Sequence, residues 1–178
     1  MRRLADAEGI RAFLRELGRS AEASARVYLT GGATAVLHGW RPTTIDVDVK
    51  LVPESDALLR AIARLKDELA INVELASPSD FIPALPGWEE RSVFVAQERL
   101  LAAYHYDLYA QALAKIERGH AQDVADVRVM MQRGLVQPPR LLELFGRIEP
   151  QLFRYPAVDP PSFRRAVESV AGAGPGPA

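Results

Sequence analysis

Two short stretches, VYLTGGA at residues 27–33 and TTIDVDVK at residues 43–50, decide how this sequence is interpreted. In the first, an apolar run typical of a buried strand ends at two glycines. In the second, β-branched residues alternate with polar ones, which predicts a strand with one apolar and one polar face. Because the side chains of a strand alternate between its faces, Asp46 and Asp48 share the polar face. A strand with a core-facing side therefore carries two carboxylates close together, which calls for a physical reason.

The two aspartates are candidate ligands of a metal ion. Carboxylates at this spacing repel each other, and a cation between them relieves the repulsion. Their hard oxygen atoms suit Mg²⁺, which leaves coordination positions open for phosphate oxygens. A half-exposed sheet face with ordinary solvated charges is the alternative interpretation.

Two-metal chemistry usually needs a third carboxylate, and the sequence offers two candidates. Glu74 is the first, because it is the single acid in the apolar, strand-like stretch INVELA at residues 71–76. If that stretch pairs beside residues 44–52, Glu74 can point to the same face as the aspartates. Asp80, in the proline-rich loop that follows, is the fallback candidate.

The glycine pair is a candidate phosphate-binding turn. Gly31 and Gly32 lie between a predicted strand and a predicted helix, where the backbone can approach a ligand and a helix N-terminus offers N–H groups to an anion. Thr30 and Thr34 add hydroxyl donors on either side. A tight strand-to-helix turn without a ligand would use glycine as well. The spacing matches neither a Walker A loop nor a dinucleotide-binding fingerprint.

Composition narrows the class of protein. The 178 residues are 48% hydrophobic and carry a net charge of −1, which predicts a real core and argues against a large nonspecific nucleic-acid footprint. The absence of cysteine excludes disulfides and thiolate zinc sites. No apolar run approaches the roughly 20 residues of a membrane span, and the N-terminus lacks the apolar segment of a signal peptide. We therefore expect a soluble, cytoplasmic protein with no membrane partner.

Periodicity predicts an α+β protein in which a small mixed-sheet domain with flanking helices precedes a helical part. We expect the α/β domain at residues 1–100, the helical part at residues 101–171 and a disordered tail at residues 172–178. Strands are predicted at residues 27–29, 44–52, 71–76 and 91–97, and residues 100–106 form either a further strand or the beginning of a helix. Helices are predicted at residues 10–17, ending at Gly18, and at residues 33–37, 55–69, 107–118, 120–133, 138–148 and 161–171.

The motifs are more specific together than apart. Their order resembles the nucleotidyltransferase signature of the DNA polymerase β superfamily, which runs strand, Gly-Gly, short helix, Gly39, Arg41, Thr44 and D-x-D. The form GGATAVLHGWRPTTIDVDV at residues 31–49 looks most similar to the abortive-infection-type, toxin-like nucleotidyltransferases and their small bacterial relatives. The resemblance covers roughly residues 25–130 and is most specific over residues 31–48.

The resemblance implies a role for each motif. The glycine pair would hold the triphosphate of an NTP, assisted by Thr30 or Thr34. Asp46 and Asp48 would bind Mg²⁺ or Mn²⁺, and Glu74 would be the third carboxylate, which binds metal and activates the acceptor hydroxyl. Many relatives have Ser after the first glycine, and their third acid is often Asp.

A second motif, K-x-x-R-x-x-x-x-D-x-x-D, lies in the predicted helical part and is formed by Lys115, Arg118, Asp123 and Asp126. The members of each pair are one helical turn apart, which favours a salt-bridged helix hairpin. The pattern also resembles the C-terminal motif of the toxin-like nucleotidyltransferases, where the Lys contacts NTP phosphates and an Asp positions it or the base. The resemblance thus implies that Lys115, Asp123 and Asp126 bind nucleotide.

These features together predict a metal-dependent nucleotidyltransferase. It would transfer a nucleoside monophosphate from an NTP to a hydroxyl of an RNA, such as a tRNA 3′ end, or of a protein. The resemblance further implies the toxin of a toxin–antitoxin system, with a cognate antitoxin as its partner. Two alternatives stay open: transfer to a small molecule such as an aminoglycoside antibiotic, and a nucleotide- or partner-binding module that has lost catalysis.

Overall fold

The computed structural model describes residues 2–173. They form two compact units, one made of residues 2–77 and 92–106 and the other of residues 78–91 and 107–173. None of the helices in this part of the chain is long and apolar enough to cross a membrane.

The first unit, as far as the chain is described, is a five-stranded sheet with three helices. The helices are α1 (Ala7–Arg19), α2 (Gly31–Leu37) and α3 (Asp56–Glu68), and the strands are β1 (Ala25–Thr30), β2 (Asp46–Val52), β3 (Asn72–Leu75), β4 (Val93–Glu98) and β5 (Leu101–His105). The strand order is β3-β2-β1-β5-β4. β1 pairs antiparallel with β2 and parallel with β5, β2 pairs parallel with β3, and β4 pairs antiparallel with β5. The sheet is mixed, so the predicted α+β class is confirmed, and residues 101–105 are a strand.

The alternation of β2 separates the two faces of the sheet. Its Val47, Val49 and Leu51 are buried in the core, while the two aspartates and Lys50 are half-buried on the opposite face. The core also contains the apolar stripe of α1, namely Ile10, Phe13, Leu14 and Leu17. The apolar face of β2 thus packs into the core, and its polar face stays half-buried.

Helix α1 passes through Gly18, which was predicted to end it, and continues to Arg19. A Cβ at Gly18 would lie 2.4 Å from the carbonyl oxygen of Glu98. The glycine is therefore required by the close approach of β4, and the prediction of a helix end at this position is wrong.

The second unit is helical within the described residues. Its α-helices are α4 (Trp88–Arg91), α5 (Leu108–Arg118), α6 (Ala121–Gln132), α7 (Pro138–Ile148) and α8 (Pro160–Gly172), and 3₁₀ segments occupy Pro78–Asp80 and Glu149–Arg154. Helix α5 packs against α6, α7 and α8. Between α7 and α8, the rings of Phe145 and Phe163 meet edge to face with centroids 4.9 Å apart.

Residues 78–91, most of which were predicted as a loop, are tied into the second unit by polar contacts. Arg91 donates two hydrogen bonds to Oδ2 of the buried Asp107, from Nε at 3.0 Å and from Nη2 at 2.7 Å. Burial raises the pKa of Asp107, and the Arg91 guanidinium opposes that shift. The hydroxyl of Tyr155 donates to the carbonyl oxygen of Ser79 at 3.0 Å. These contacts link distant parts of the sequence, so no local pattern reveals them.

Each unit is made of two separate stretches of the sequence, whereas a single boundary near residue 100 was predicted. Residues 101–105 form β5 of the first unit, and residues 78–91 belong to the second. At the other end, α8 runs through Gly172, where the predicted tail begins. Residues 174–178 of that tail lie outside the described residues.

Candidate active site

The polar face of β2 brings three predicted site residues into one row across the sheet. Thr30, at the end of β1, lies opposite Asp48, and Asp48 lies opposite Glu74 of β3. Paired residues of neighbouring strands project to the same face, so these side chains share it with Asp46. Asp46 and Asp48 are half-buried, and Glu74 is exposed. The pairing of β3 beside β2 therefore puts the predicted third carboxylate in register with an aspartate of the D-x-D motif.

Asn72 holds Asp46 and Glu74 together. Its side-chain Nδ2 donates to Oδ1 of Asp46 at 2.6 Å and to Oε1 of Glu74 at 3.0 Å. Arg2 in turn donates to the amide oxygen of Asn72. Because an amide is neutral, Asn72 bridges the two carboxylates without cancelling their charge.

Both glycines of the pair make room for β2 and the residues just before it. Gly31 has a φ of +59°, in the left-handed region, and a Cβ there would lie 2.8 Å from Oδ2 of Asp48. A Cβ at Gly32 would lie 2.0 Å from Oγ1 of Thr44. The Thr44 hydroxyl itself donates to the backbone carbonyl oxygen of Asp46 at 3.0 Å. The glycine turn and the D-x-D motif are thus parts of one packed corner, and the turn limits where the Asp48 carboxylate can lie.

The two threonines beside the glycine pair have different surroundings. Thr30 is the N-cap residue of α2, and its side chain makes no capping hydrogen bond. Thr34 is fully buried, donates to the carbonyl oxygen of Leu29 at 3.2 Å and lies 3.2 Å from Nδ1 of His105. Burial, and to a smaller extent the neighbouring His38, lowers the pKa of His105 to about 3, so this ring is neutral at pH 7. The Thr34 hydroxyl therefore bonds within the interior of the unit, and Thr30 is also buried, at 7% exposure. Nucleotide binding by Thr30 and Thr34 stays a prediction.

The second motif forms an ion-pair cluster in the second unit. Nζ of Lys115 donates to Oδ2 of Asp126 at 2.7 Å and to Oδ1 of Asp123 at 3.3 Å. Arg118 donates to both carboxylate oxygens of Asp123, at 2.7 and 2.6 Å. Lys115 is only 5% exposed and both aspartates are buried. Burial opposes ionisation of Asp123, but its bonds to Arg118 and the nearby charges of Lys115 and Arg118 hold its pKa below the ordinary value. The cluster closes the α5–α6 hairpin, and nucleotide binding by Lys115, Asp123 and Asp126 stays a prediction.

The remaining candidate ligand, Asp80, ends the 3₁₀ segment Pro78–Asp80 of the second unit. Within residues 2–173, no three His, Asp or Glu side chains are grouped so that they could hold a metal ion by themselves. Asp46 and Asp48 meet a different requirement, because Mg²⁺ is commonly bound through one or two carboxylates and the phosphates of its nucleotide. Their oxygen atoms, on a half-exposed face, fit a metal ion that arrives with the substrate. Glu74 as a third ligand stays a prediction.

Two residues that shape this corner were not singled out as site residues from the sequence. Asn72 lies two positions before Glu74 in the same strand, so strand periodicity does place both on one face. Thr44 belongs to the signature, but it lies in a loop and contacts Gly32 of helix α2. No local pattern in the sequence indicates that contact. The first contact could have been found from the sequence, and the second could not.

One of the comparisons with known proteins identifies the family of this chain. A family model described as a nucleotidyltransferase of unknown function (DUF6036) matches residues 7–147. Neither a protein of curated function nor a solved structure gives a significant match. The matched range includes the whole sheet of the first unit, with its carboxylate row, and the α5–α6 hairpin. Since it covers well over half of the chain, the chain belongs to this family of nucleotidyltransferases of unknown function.

Proposed function

We propose that this nucleotidyltransferase transfers a nucleoside monophosphate from an NTP to a hydroxyl group, with the chemistry on the polar face of β1, β2 and β3. The observation that carries the proposal is the row formed by Thr30, Asp48 and Glu74. Asp46 lies on the same face, and Thr30 directly precedes the glycine turn. This arrangement places the half-buried Asp46 and Asp48 and the exposed Glu74 on one face, where a charged substrate can reach them, beside the buried hydroxyl of Thr30, which is 7% exposed.

Each residue of this face has a separate role in the proposed reaction. Asp46 and Asp48 would hold Mg²⁺ or Mn²⁺, which when bound neutralises charge on the phosphates. Glu74 accepts the proton of the acceptor hydroxyl. The acceptor oxygen forms a bond to the α-phosphorus, and pyrophosphate leaves in line with the electron pair of the bond that breaks. Thr30 donates its hydroxyl to the triphosphate.

The surroundings of Glu74 suit it to proton transfer. One of its carboxylate oxygens is oriented by the Asn72 amide, and the residue is otherwise exposed. A carboxylate fixed from one side and open on the other can accept a proton from an acceptor and release it to water. Asp48 lies opposite Glu74 and is half-buried against the glycine turn. Because its carboxylate is more restricted, Asp48 is the better metal ligand of the two.

We further propose that the chain belongs to the DNA polymerase β superfamily, near its toxin-like branch. The order of strand, glycine pair, short helix and D-x-D strand supports this placement. The acceptor would then be an RNA such as tRNA, or a protein, and a small antitoxin would be the partner. Lys115, with Asp123 and Asp126, would serve the nucleotide if substrate binding opened their ion pairs.

Transfer of a labelled nucleotide tests the proposed function. The purified protein is incubated with each α-labelled NTP and Mg²⁺ or Mn²⁺, in parallel with total tRNA, with lysate proteins and with an aminoglycoside. We expect metal-dependent label on one class of acceptor. Asp48→Asn should abolish it, and the control Glu54→Gln, at an exposed acid just after β2, should not. Absence of label on every acceptor, together with no metal-dependent NTP binding by calorimetry, would contradict the proposal and favour a module without catalysis.

A further inference from the structure

A row of aromatic side chains crosses the sheet on the same face as the carboxylates. Phe94 of β4 lies opposite Tyr104 of β5, and Tyr104 lies opposite Tyr28 of β1. Tyr28 in turn lies opposite Lys50 of β2. The rings of Phe94 and Tyr104 meet edge to face with centroids 5.7 Å apart, and those of Tyr104 and Tyr28 are stacked at 5.5 Å. Four neighbouring strands thus contribute one residue each to a continuous row.

The exposure of these rings increases toward the edge of the sheet. Tyr28 is 1% exposed, Tyr104 is half-buried and Phe94 is 57% exposed. Tyr106 packs edge to face on Tyr28 at 6.1 Å and fixes the inner end of the row. The Phe94 ring therefore packs against Tyr104 on one side, and much of the surface of Phe94 is open to a ligand.

The carboxylate row is the next row on this face. Thr30 follows Tyr28 by two residues, and Asp48 precedes Lys50 by two. Strands lie about 4.8 Å apart and two residues advance about 6.7 Å along a strand, so Phe94 is about 16 Å from Asp48. A few linked nucleotides can span this distance, which places the aromatic row within reach of the proposed chemistry.

Lys50 adds a positive charge to the inner end of the aromatic row. It is half-buried, and its ammonium group forms no ion pair within residues 2–173. Each nucleotide of a nucleic acid carries a flat base and a phosphate. Proteins that bind single strands therefore combine aromatic rings with basic side chains. The row offers both kinds of group on one face.

We propose that this row is the acceptor-binding platform of the enzyme and that the acceptor is a single-stranded nucleic acid. Its unpaired bases stack on Phe94 and Tyr104, a phosphate contacts Lys50, and its terminal hydroxyl reaches the carboxylate row. The role as acceptor rests on the proposed function, whereas binding of the strand does not depend on turnover.

The size of the exposed apolar surface favours a nucleic acid over a protein. A stable protein interface buries about 800 Å² on each partner. On β4, Val93 projects to the face opposite Phe94, so the open aromatic surface of this row is essentially a single ring and its half-buried neighbour. That surface is the size of one or two bases. In a duplex the bases are already stacked on each other, so a single strand is the better ligand.

Fluorescence anisotropy tests the platform without NTP or metal ion. The probes are labelled RNA and DNA single strands of about 12 nucleotides and the corresponding RNA duplex. We expect the parent to bind at least one single strand more tightly than the duplex. Phe94→Ala should weaken that binding about five- to hundredfold. Phe94→Leu, which keeps apolar volume but removes the ring, should also weaken it, and Phe94→Trp should retain it with quenched tryptophan fluorescence.

Two further variants separate stacking from general effects. Phe153→Ala removes a 76% exposed phenylalanine of the second unit and should leave the affinity unchanged. Lys50→Met should weaken binding and lower the slope of log K against log salt by about 0.7.

Equal affinities of the parent and Phe94→Ala, or a preference for the duplex, would overturn the proposal. Label transferred to a protein or small molecule by a parent that binds no strand would overturn this inference alone and leave the proposed function standing. Strand binding through Phe94 in a protein that transfers no label and shows no metal-dependent NTP binding would overturn the proposed function and the acceptor role, and would leave single-strand binding standing.

Discussion

Two pairs of closely spaced aspartates lie in this chain, one on β2 and one on α6, and they differ in the groups around them. Asp123 and Asp126 are buried with the ammonium of Lys115, and Asp123 also binds a guanidinium. Asp46 of the other pair is half-buried, and its carboxylate receives a hydrogen bond from the neutral amide of Asn72. A buried carboxylate without a cation costs several kcal/mol, so the α6 pair depends on cations built into the fold. Asp46 lies on a half-exposed face, where a cation from solution can reach its carboxylate. The partners of an acidic pair, more than its spacing, separate a structural cluster from a candidate ligand set.

The largest expected effect is on the stability of the α6 cluster. Lys115→Met leaves two buried carboxylates without their shared ammonium and should lower the free energy of unfolding by about 3–5 kcal/mol. Urea denaturation measures the loss, and Lys66→Met, at a half-exposed lysine of α3, serves as the control. The opposite outcome, full stability with NTP affinity lowered by about one to two decades, would mean that Lys115 serves the nucleotide and that both acidic pairs are functional.

The β2 pair should show the reverse behaviour. Asp48→Asn removes a charge with little change in volume, so the free energy of unfolding should stay within about 0.5 kcal/mol of the parent. Nucleotidyl transfer should fall by at least about 10²–10³-fold, the range seen when one group that stabilises transition-state charge is removed. Transfer at the parent's rate would place the chemistry elsewhere and remove the contrast between the two pairs.

The glycine turn can be tested for its effect on the carboxylate beside it. Gly31→Ala puts a residue with a Cβ into the left-handed region, which costs about 1–2 kcal/mol of stability. The added Cβ would also crowd Oδ2 of Asp48. Gly39→Ala is the matched control, since its φ is +80° and no atom lies within 4 Å of an added Cβ. We expect similar losses of stability in urea, but weaker metal-dependent NTP binding only in Gly31→Ala. Equal NTP binding by both variants would show that the turn does not position Asp48.

The smallest expected effect concerns the amide between two carboxylates. Asn72→Ala removes the donor that Asp46 and Glu74 share and should cost about 1 kcal/mol of stability. Because a cation can replace the donor, millimolar Mg²⁺ should restore part of the loss in this variant and have less effect on Lys115→Met. Thermal unfolding with and without Mg²⁺ measures both responses. A loss that Mg²⁺ does not change would argue against cation binding at this corner.

Much of the fold could be predicted from local patterns, whereas several contacts of the site could not. The alternation of β2 and the apolar stripe of α1 are periodic signals, and both elements form where they were predicted. Gly18 was misassigned because a helix end and a close strand contact both require glycine. The contact of Thr34 with the buried His105 was not predicted, because the two residues lie far apart in the sequence. What escaped prediction in each case is a contact between residues far apart in sequence.

The central position of β1 has a consequence for how the chain folds. β1 pairs on one side with the nearby β2, but its other side needs β5, and Ala25 pairs with Leu101. Closing a loop of this length costs chain entropy before the contact is gained, and parallel pairing of distant strands is slow for that reason. A chain synthesised only as far as β3 would carry β1 with an open edge, which is a template for wrong pairing. Helices α5 and α6 of the second unit are adjacent in sequence and pair locally, whereas β5 must reach β1 from a distance. We therefore expect closure of β5 onto β1 to set the rate at which the first unit becomes native.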